Sequence, residues 1–199
     1  MATGAAETQV LEALVLAAGA GARFGGGKLV SPWGDGVLLH GALAAALAAP
    51  VRRVTVVTGA EGEAVGAAVR SHDPSIRMVH APDHAEGMAA SLRAGIDSLA
   101  SDTAGVFVFL GDMPRIPTAV LRPLAAALRA GAAAAAPVFA GRRGHPALIS
   151  RALFPAIRTL RGDEGARGLL QGMAGLVLVQ APDDGVLFDV DRPGAPRGG

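Results

Sequence analysis

Leu14-Val-Leu-Ala-Ala-Gly-Ala-Gly-Ala-Arg-Phe-Gly-Gly-Gly-Lys28 governs the reading of the whole chain. It opens as a buried strand, predicted over residues 13–16, and runs directly into a loop with five glycines among residues 19–27. Glycine tolerates left-handed backbone, so such a loop can turn its amides toward an anion. Arg23 and Lys28 add fixed positive charge. The alternative is a flexible surface turn. The loop is not a Walker A loop, because Ala22 stands where the first glycine belongs and Leu29 follows Lys28 in place of Ser or Thr. The dinucleotide fingerprint fits poorly too. Phe24 occupies its third glycine position, and the next strand ends Thr58-Gly59-Ala60, with no acid or Arg at its tip to hold a ribose.

Outward from this loop, β-branched apolar runs alternate with Ala/Leu-rich stretches of helical period. Strands are predicted over 13–16, 54–58, 76–79, 105–110, 135–139 and 176–179, with a last one over 186–190. Helices are predicted over 38–48, 61–71, 87–99, 117–130 and 150–160, with a short one over 164–171. Such alternation implies a mostly parallel sheet covered by helices on both faces, an α/β fold. Ligands of such sheets bind beyond the carboxyl ends of the strands. That rule selects segments 17–28, 59–61, 81–91, 111–113 and 189–191.

Composition narrows the function further. The chain has 199 residues, 51% hydrophobic, with a formal net charge of +1. It is expected to form one domain over 1–192, followed by a flexible Pro/Gly/Arg-rich tail over 193–199. The near-balanced charge gives no electrostatic case for nucleic acid or an anionic membrane as partner. Without cysteine there is no disulfide framework, thiolate catalysis or cysteine-ligated zinc. No stretch reads as a transmembrane helix. Residues 10–22 lack the basic flank of a signal peptide, and a cytoplasmic protein is the simplest reading.

Three acidic residues follow strands. Asp112 sits in Gly111-Asp-Met-Pro114, after the most apolar strand; a carboxylate there suits Mg²⁺, which prefers few protein ligands, and also suits a plain turn. Asp189 and Asp191 lie two apart in an extended segment and so point the same way. Gly87 would set a helix N-terminus toward an anion, with Ser91 as a ribose or phosphate partner or a helix-surface hydroxyl. His145 stands in a loop beside two arginines, and Asp163 reads as a helix cap or a functional group.

Taken together, LAAGAGARFGGGK (16–28), LVSPWGD (29–35), PDHAEGMAASLR (82–93), LGDMP (110–114) and FDVDRP (188–193) resemble the motifs of the MobA-like NTP-transferase family. GRRGHP (141–146) and LRGDEGAR (160–167) resemble its molybdenum cofactor cytidylyltransferase branch. The match runs from about Leu14 to Pro193 in the family's order. It departs from the family at Gly21-Ala22, which offer no hydroxyl, at Phe24, and at Arg192 and Gly194-Ala195 in the last motif.

The resemblance implies a three-layer, Rossmann-like nucleotidyltransferase fold. It implies transfer of CMP from CTP to the terminal phosphate of molybdopterin, with release of pyrophosphate. Onto the strand-end segments it carries nucleotide binding by Leu16, Ala17, Ala18, Gly19, Gly21, Arg23, Lys28, Gly59, Gly87, Ser91 and Gly111. Lys28, Arg23 and Asp112 become the catalytic set, Asp112 and Asp191 the Mg²⁺ ligands, and Arg143 and His145 the acceptor-binding pair. A molybdenum hydroxylase-type apoenzyme or its chaperone is the implied further partner. The alternatives are the same chemistry with another acceptor or NTP, an NADP-dependent oxidoreductase, and a non-catalytic molybdenum cofactor carrier.

Overall fold

The computed structural model describes residues 9–19, 21 and 24–191. Arg23, the Arg192 to Ala195 departure and the expected tail lie outside the described residues. In chain order the elements are β1 (Leu11–Ala17), β2 (Pro32–Trp33), β3 (Gly36–Val37), α1 (Leu38–Ala48), β4 (Val54–Thr58), α2 (Gly62–His72), β5 (Arg77–His80), α3 (Met88–Asp97), β6 (Gly105–Leu110), α4 (Leu121–Arg129), β7 (Ala134–Phe139), β8 (Arg142–Arg143), β9 (Ala147–Ser150), α5 (Phe154–Thr159), α6 (Ala166–Leu169) and β10 (Leu176–Gln180).

The main sheet has the order β10-β7-β9-β6-β1-β4-β5, with β8 paired to β7. β1 runs parallel to both β4 and β6, β4 to β5, and β10 to β7. β9 alone is inserted antiparallel between β6 and β7. Side chains of β1 and β6 alternate between the two faces, as strand geometry requires. Ala13, Val15, Phe107 and Phe109 join one core layer with α1, α2 and α4. Leu14, Val106 and Val108 join a second layer with α3, α5 and α6. The mixed, mostly parallel sheet with helices on both faces is the expected three-layer α/β architecture.

The strand predicted over 186–190 does not form. Its place is taken by a 3₁₀ turn at Asp184–Leu187, capped by the Asp183 side chain, and then by an extended segment. The backbone of that segment bonds to loops and not to a ladder: His145 N–H donates to the Val186 carbonyl and Val190 N–H to that of Asp112. The predicted helix at 150–160 begins late. Ser150 ends β9, residues Arg151–Leu153 form a 3₁₀ turn, and the helix proper starts at Phe154 with Pro155 in its first turn. Four residues of strand were too short for an alternating pattern to stand out beside the following helix.

The reversal of β9 matters for function. In the parallel part of the sheet, strands deliver their last residues to the carboxyl-end rim. An antiparallel strand delivers its first. Ala147 at the start of β9 pairs with Val108 near the end of β6, so the β8–β9 turn carrying His145 reaches the same rim as Asp112.

Candidate active site

Two cavities open on that rim. The first, about 610 Å³, lies between the end of β1 and the start of α3; Leu16, Ala17, Ala18, Gly19, Gly21, Lys28, Gly87 and Ser91 line it. The second, about 780 Å³, is walled by Arg142, Arg143, His145 and Arg167, and by Asp189 and Asp191. Met88, Leu110 and Asp112 line both, so the cavities meet there.

At the junction Lys28 Nζ lies 2.7 Å from Asp112 Oδ2 and 3.7 Å from Asp191 Oδ1. Lys28 and Asp112, 84 positions apart along the chain, are thus brought together beside Asp191. Packing explains how. Gly41 of α1 lets the turn after β6 approach closely; a Cβ there would stand 2.6 Å from Pro114 Cα. Phe188 lies under the Arg115 guanidinium, 4.7 Å from ring to Cζ, and 6.1 Å from the Trp33 ring, which pins the last segment beside that turn. Val190 N–H then donates to the Asp112 carbonyl at 3.1 Å. Partial desolvation, followed by the nearby carboxylates of Asp191 and Asp112, pushes the Asp189 carboxyl above its ordinary value.

The Gly-rich loop departs from expectation in the direction its amides take. Gly25, Gly26 and Gly27 all adopt positive φ, at 83°, 91° and 66°, but none lines the cavity. The Gly27 amide instead donates to the Glu61 carboxylate. Inward-facing backbone comes from residues 17–19 and 21. Glu61 was missed as a loop partner because 34 residues separate it from Gly27.

Gly59 and Gly111 line neither cavity. Each allows a close approach to the end of β1: a Cβ on Gly59 would stand 2.5 Å from the Ala18 carbonyl oxygen, and one on Gly111 3.1 Å from that of Leu16. Ser91 is buried, at 5% exposure, in the first turns of α3.

In the second cavity Arg143 Nη1 donates to the Leu170 carbonyl at 2.8 Å and Nη2 to that of Arg167 at 2.7 Å. It therefore holds the end of α6 as well as facing the cavity. Burial, then the Arg167 charge, lowers the Arg143 pKa. His145 Nδ1 is buried without a partner among the described residues. Burial, more than any neighbouring charge, lowers the His145 pKa, so the ring is held neutral.

A concave site at the strand ends, with a cation–carboxylate cluster between two cavities, suits anionic ligands. The MobA-like NTP transferase domain matches residues 13–178, and the chain belongs to that family of nucleotidyltransferases. It is 28% identical over 184 residues to the molybdenum cofactor cytidylyltransferase of Escherichia coli K12, covering 92% of each chain. It is 33% identical to the purine catabolism protein PucB of Bacillus subtilis, covering 89% of this chain and 90% of that one. Among solved structures, the homologue of Mycobacterium tuberculosis Rv0371c from Mycobacterium sp. strain JC1 superposes with a TM-score of 0.81 at 31% identity, over 92% of this chain and 90% of that one. This membership favours nucleotidyl transfer over the oxidoreductase and carrier alternatives. No helix among the described residues is long and apolar enough to cross a membrane.

Proposed function

We propose that the chain transfers CMP from CTP to the terminal phosphate of molybdopterin and releases pyrophosphate. The observation that carries this reading is the junction of two cavities at Asp112, with Lys28 between Asp112 and Asp191. The similarity to the Escherichia coli cytidylyltransferase supports the choice of substrates.

In this reading the nucleotide occupies the cavity at the end of β1, and the acceptor phosphate enters from the cavity of Arg143 and His145. An acceptor phosphate oxygen attacks the α-phosphorus in line, forming the new P–O bond as the bond to the β-phosphate breaks. The attacking oxygen is already ionised near neutral pH, so no general base is needed. The barrier is one of charge repulsion and positioning. Lys28 exchanges its carboxylate partners for phosphate oxygens and stabilises the departing pyrophosphate. His145 lines the acceptor's cavity beside Arg143.

No group of three potential ligands able to hold a metal occurs among the described residues. Two carboxylates gathered about one cation nevertheless suit Mg²⁺, which takes few protein ligands and completes its shell with phosphate oxygens and water. Asp112 and Asp191 would hold it. When bound, the ion would neutralise charge shared between the reacting phosphates.

Pyrophosphate release tests this reading, using molybdopterin as acceptor and CTP, GTP or ATP as donor, each with and without Mg²⁺. CTP-driven, Mg²⁺-dependent release that requires molybdopterin is expected. Release with GTP alone would overturn the cytidine assignment, and no release with any donor would overturn the reaction.

A further inference from the structure

The turn over residues 160–163 does not cap the helix that follows it. α6 starts behind Gly165, with no side-chain cap. The turn is docked instead on the start of α3. Gly162 O accepts from Ala89 N–H at 3.0 Å, and Leu160 O accepts from Arg93 Nη1 at 2.7 Å. Gly87, at φ 110°, makes the room: a Cβ there would stand 2.5 Å from the Gly162 carbonyl oxygen and 2.7 Å from Asp163 Oδ1. These contacts place Asp163 in the wall of the cavity at the end of β1.

Its charge restricts what it can meet there. The other acidic group lining this cavity, Asp112, is already paired with Lys28 at 2.7 Å. The Asp163 carboxylate has no ion-pair or hydrogen-bond partner among the described residues. Beside a triphosphate it would repel, and a concave site screens such repulsion poorly. It therefore belongs at the nucleoside end. An ionised carboxylate only accepts hydrogen bonds, so it reads donors: a ribose hydroxyl or an exocyclic amine, never a carbonyl.

We propose that Asp163 is a specificity-determining residue, accepting a hydrogen bond from a hydroxyl or amino group on the nucleoside half of the donor nucleotide. This rests on the reading of the β1-end cavity as the nucleotide site.

Calorimetric titration of CTP, UTP, 2′-deoxy-CTP and 3′-deoxy-CTP, with Mg²⁺, into the native chain, Asp163→Asn and Asp163→Ala tests it. Asp163 is exposed, so both variants are expected to keep the native thermal midpoint. The native chain should prefer CTP over at least one analogue by about tenfold or more, the usual worth of a hydrogen bond to a charged group. Asp163→Ala should abolish that preference and Asp163→Asn retain part of it. Loss of preference over UTP assigns the amine, and over a deoxy analogue the hydroxyl. Ratios unchanged within about twofold, or a native chain that does not discriminate, overturn the proposal while leaving the nucleotide site standing. No CTP binding to the native chain removes the cytidine reading and the proposal together.

Discussion

The two cavities share Asp112, Leu110 and Met88 but are built by opposite means. The one at the end of β1 owes much of its lining to small residues, Ala17, Ala18, Gly19, Gly21 and Gly87, near the end of a parallel strand and a helix start. The one beside β9 is made of long polar side chains, Arg142, Arg143, Arg167 and His145, supplied by an antiparallel hairpin and a short helix. Small residues suit a flat, invariant group such as a nucleotide, which backbone can approach closely. Arginines suit recognition of an anionic partner. The comparison predicts that substitutions divide by substrate.

The largest effect is expected at the shared residue. Asp112→Asn should lower kcat/KM on the order of 100-fold or more for both substrates, measured by pyrophosphate release, with the fold intact by thermal midpoint. Lys28→Ala should follow, raising the KM for CTP about tenfold or more and leaving that for the acceptor nearly unchanged. Arg143→Ala should do the reverse. It frees the carbonyls of Arg167 and Leu170 and should raise the acceptor KM about tenfold, with CTP affinity held. Equal effects of these two variants on both substrates would dissolve the division between cavities.

A smaller change is expected at Glu61. Glu61→Ala releases the Gly27 amide and should raise the KM for CTP roughly threefold, the effect of one hydrogen bond on a flexible loop. Glu61→Gln, which can still accept, should restore most of it.

The smallest effect is on pH dependence. Burial lowers the His145 pKa, so the unfolded chain binds a proton there more readily than the folded chain. Stability then rises with pH and is lost as pH falls below the ordinary value of 6.5. His72 is shifted the same way, by burial and then by His40. His145→Gln should flatten, without removing, the slope of thermal midpoint against pH between 5 and 7.

The same contrast explains what could be read from sequence. The β1-end cavity comes from contiguous motifs: β4, β6 and α1 fall where apolar periodicity puts them, and Lys28, which ends one motif, meets Asp112, which stands within another. The other cavity depends on β9, whose four residues are too few to show a period and whose reversed direction no local pattern encodes. The segment at 186–190 reads as a strand because it is mostly apolar; Val186 and Val190 are buried in the core, but the backbone there bonds to loops and not to a ladder. The Glu61–Gly27 bond and the docking of Gly162 on Ala89 join distant positions through single contacts, and nothing in either stretch announces the other.

The account stands on the division of substrates between two cavities, and a crystal structure with Mg²⁺ and a non-hydrolysable CTP analogue tests it directly. The nucleoside should lie among Ala17, Ala18, Gly87 and Ser91, with the α-phosphate at Lys28 and Asp112 and the Arg143 cavity left free for the acceptor. A nucleotide seated against Arg143 and His145 instead would contradict it.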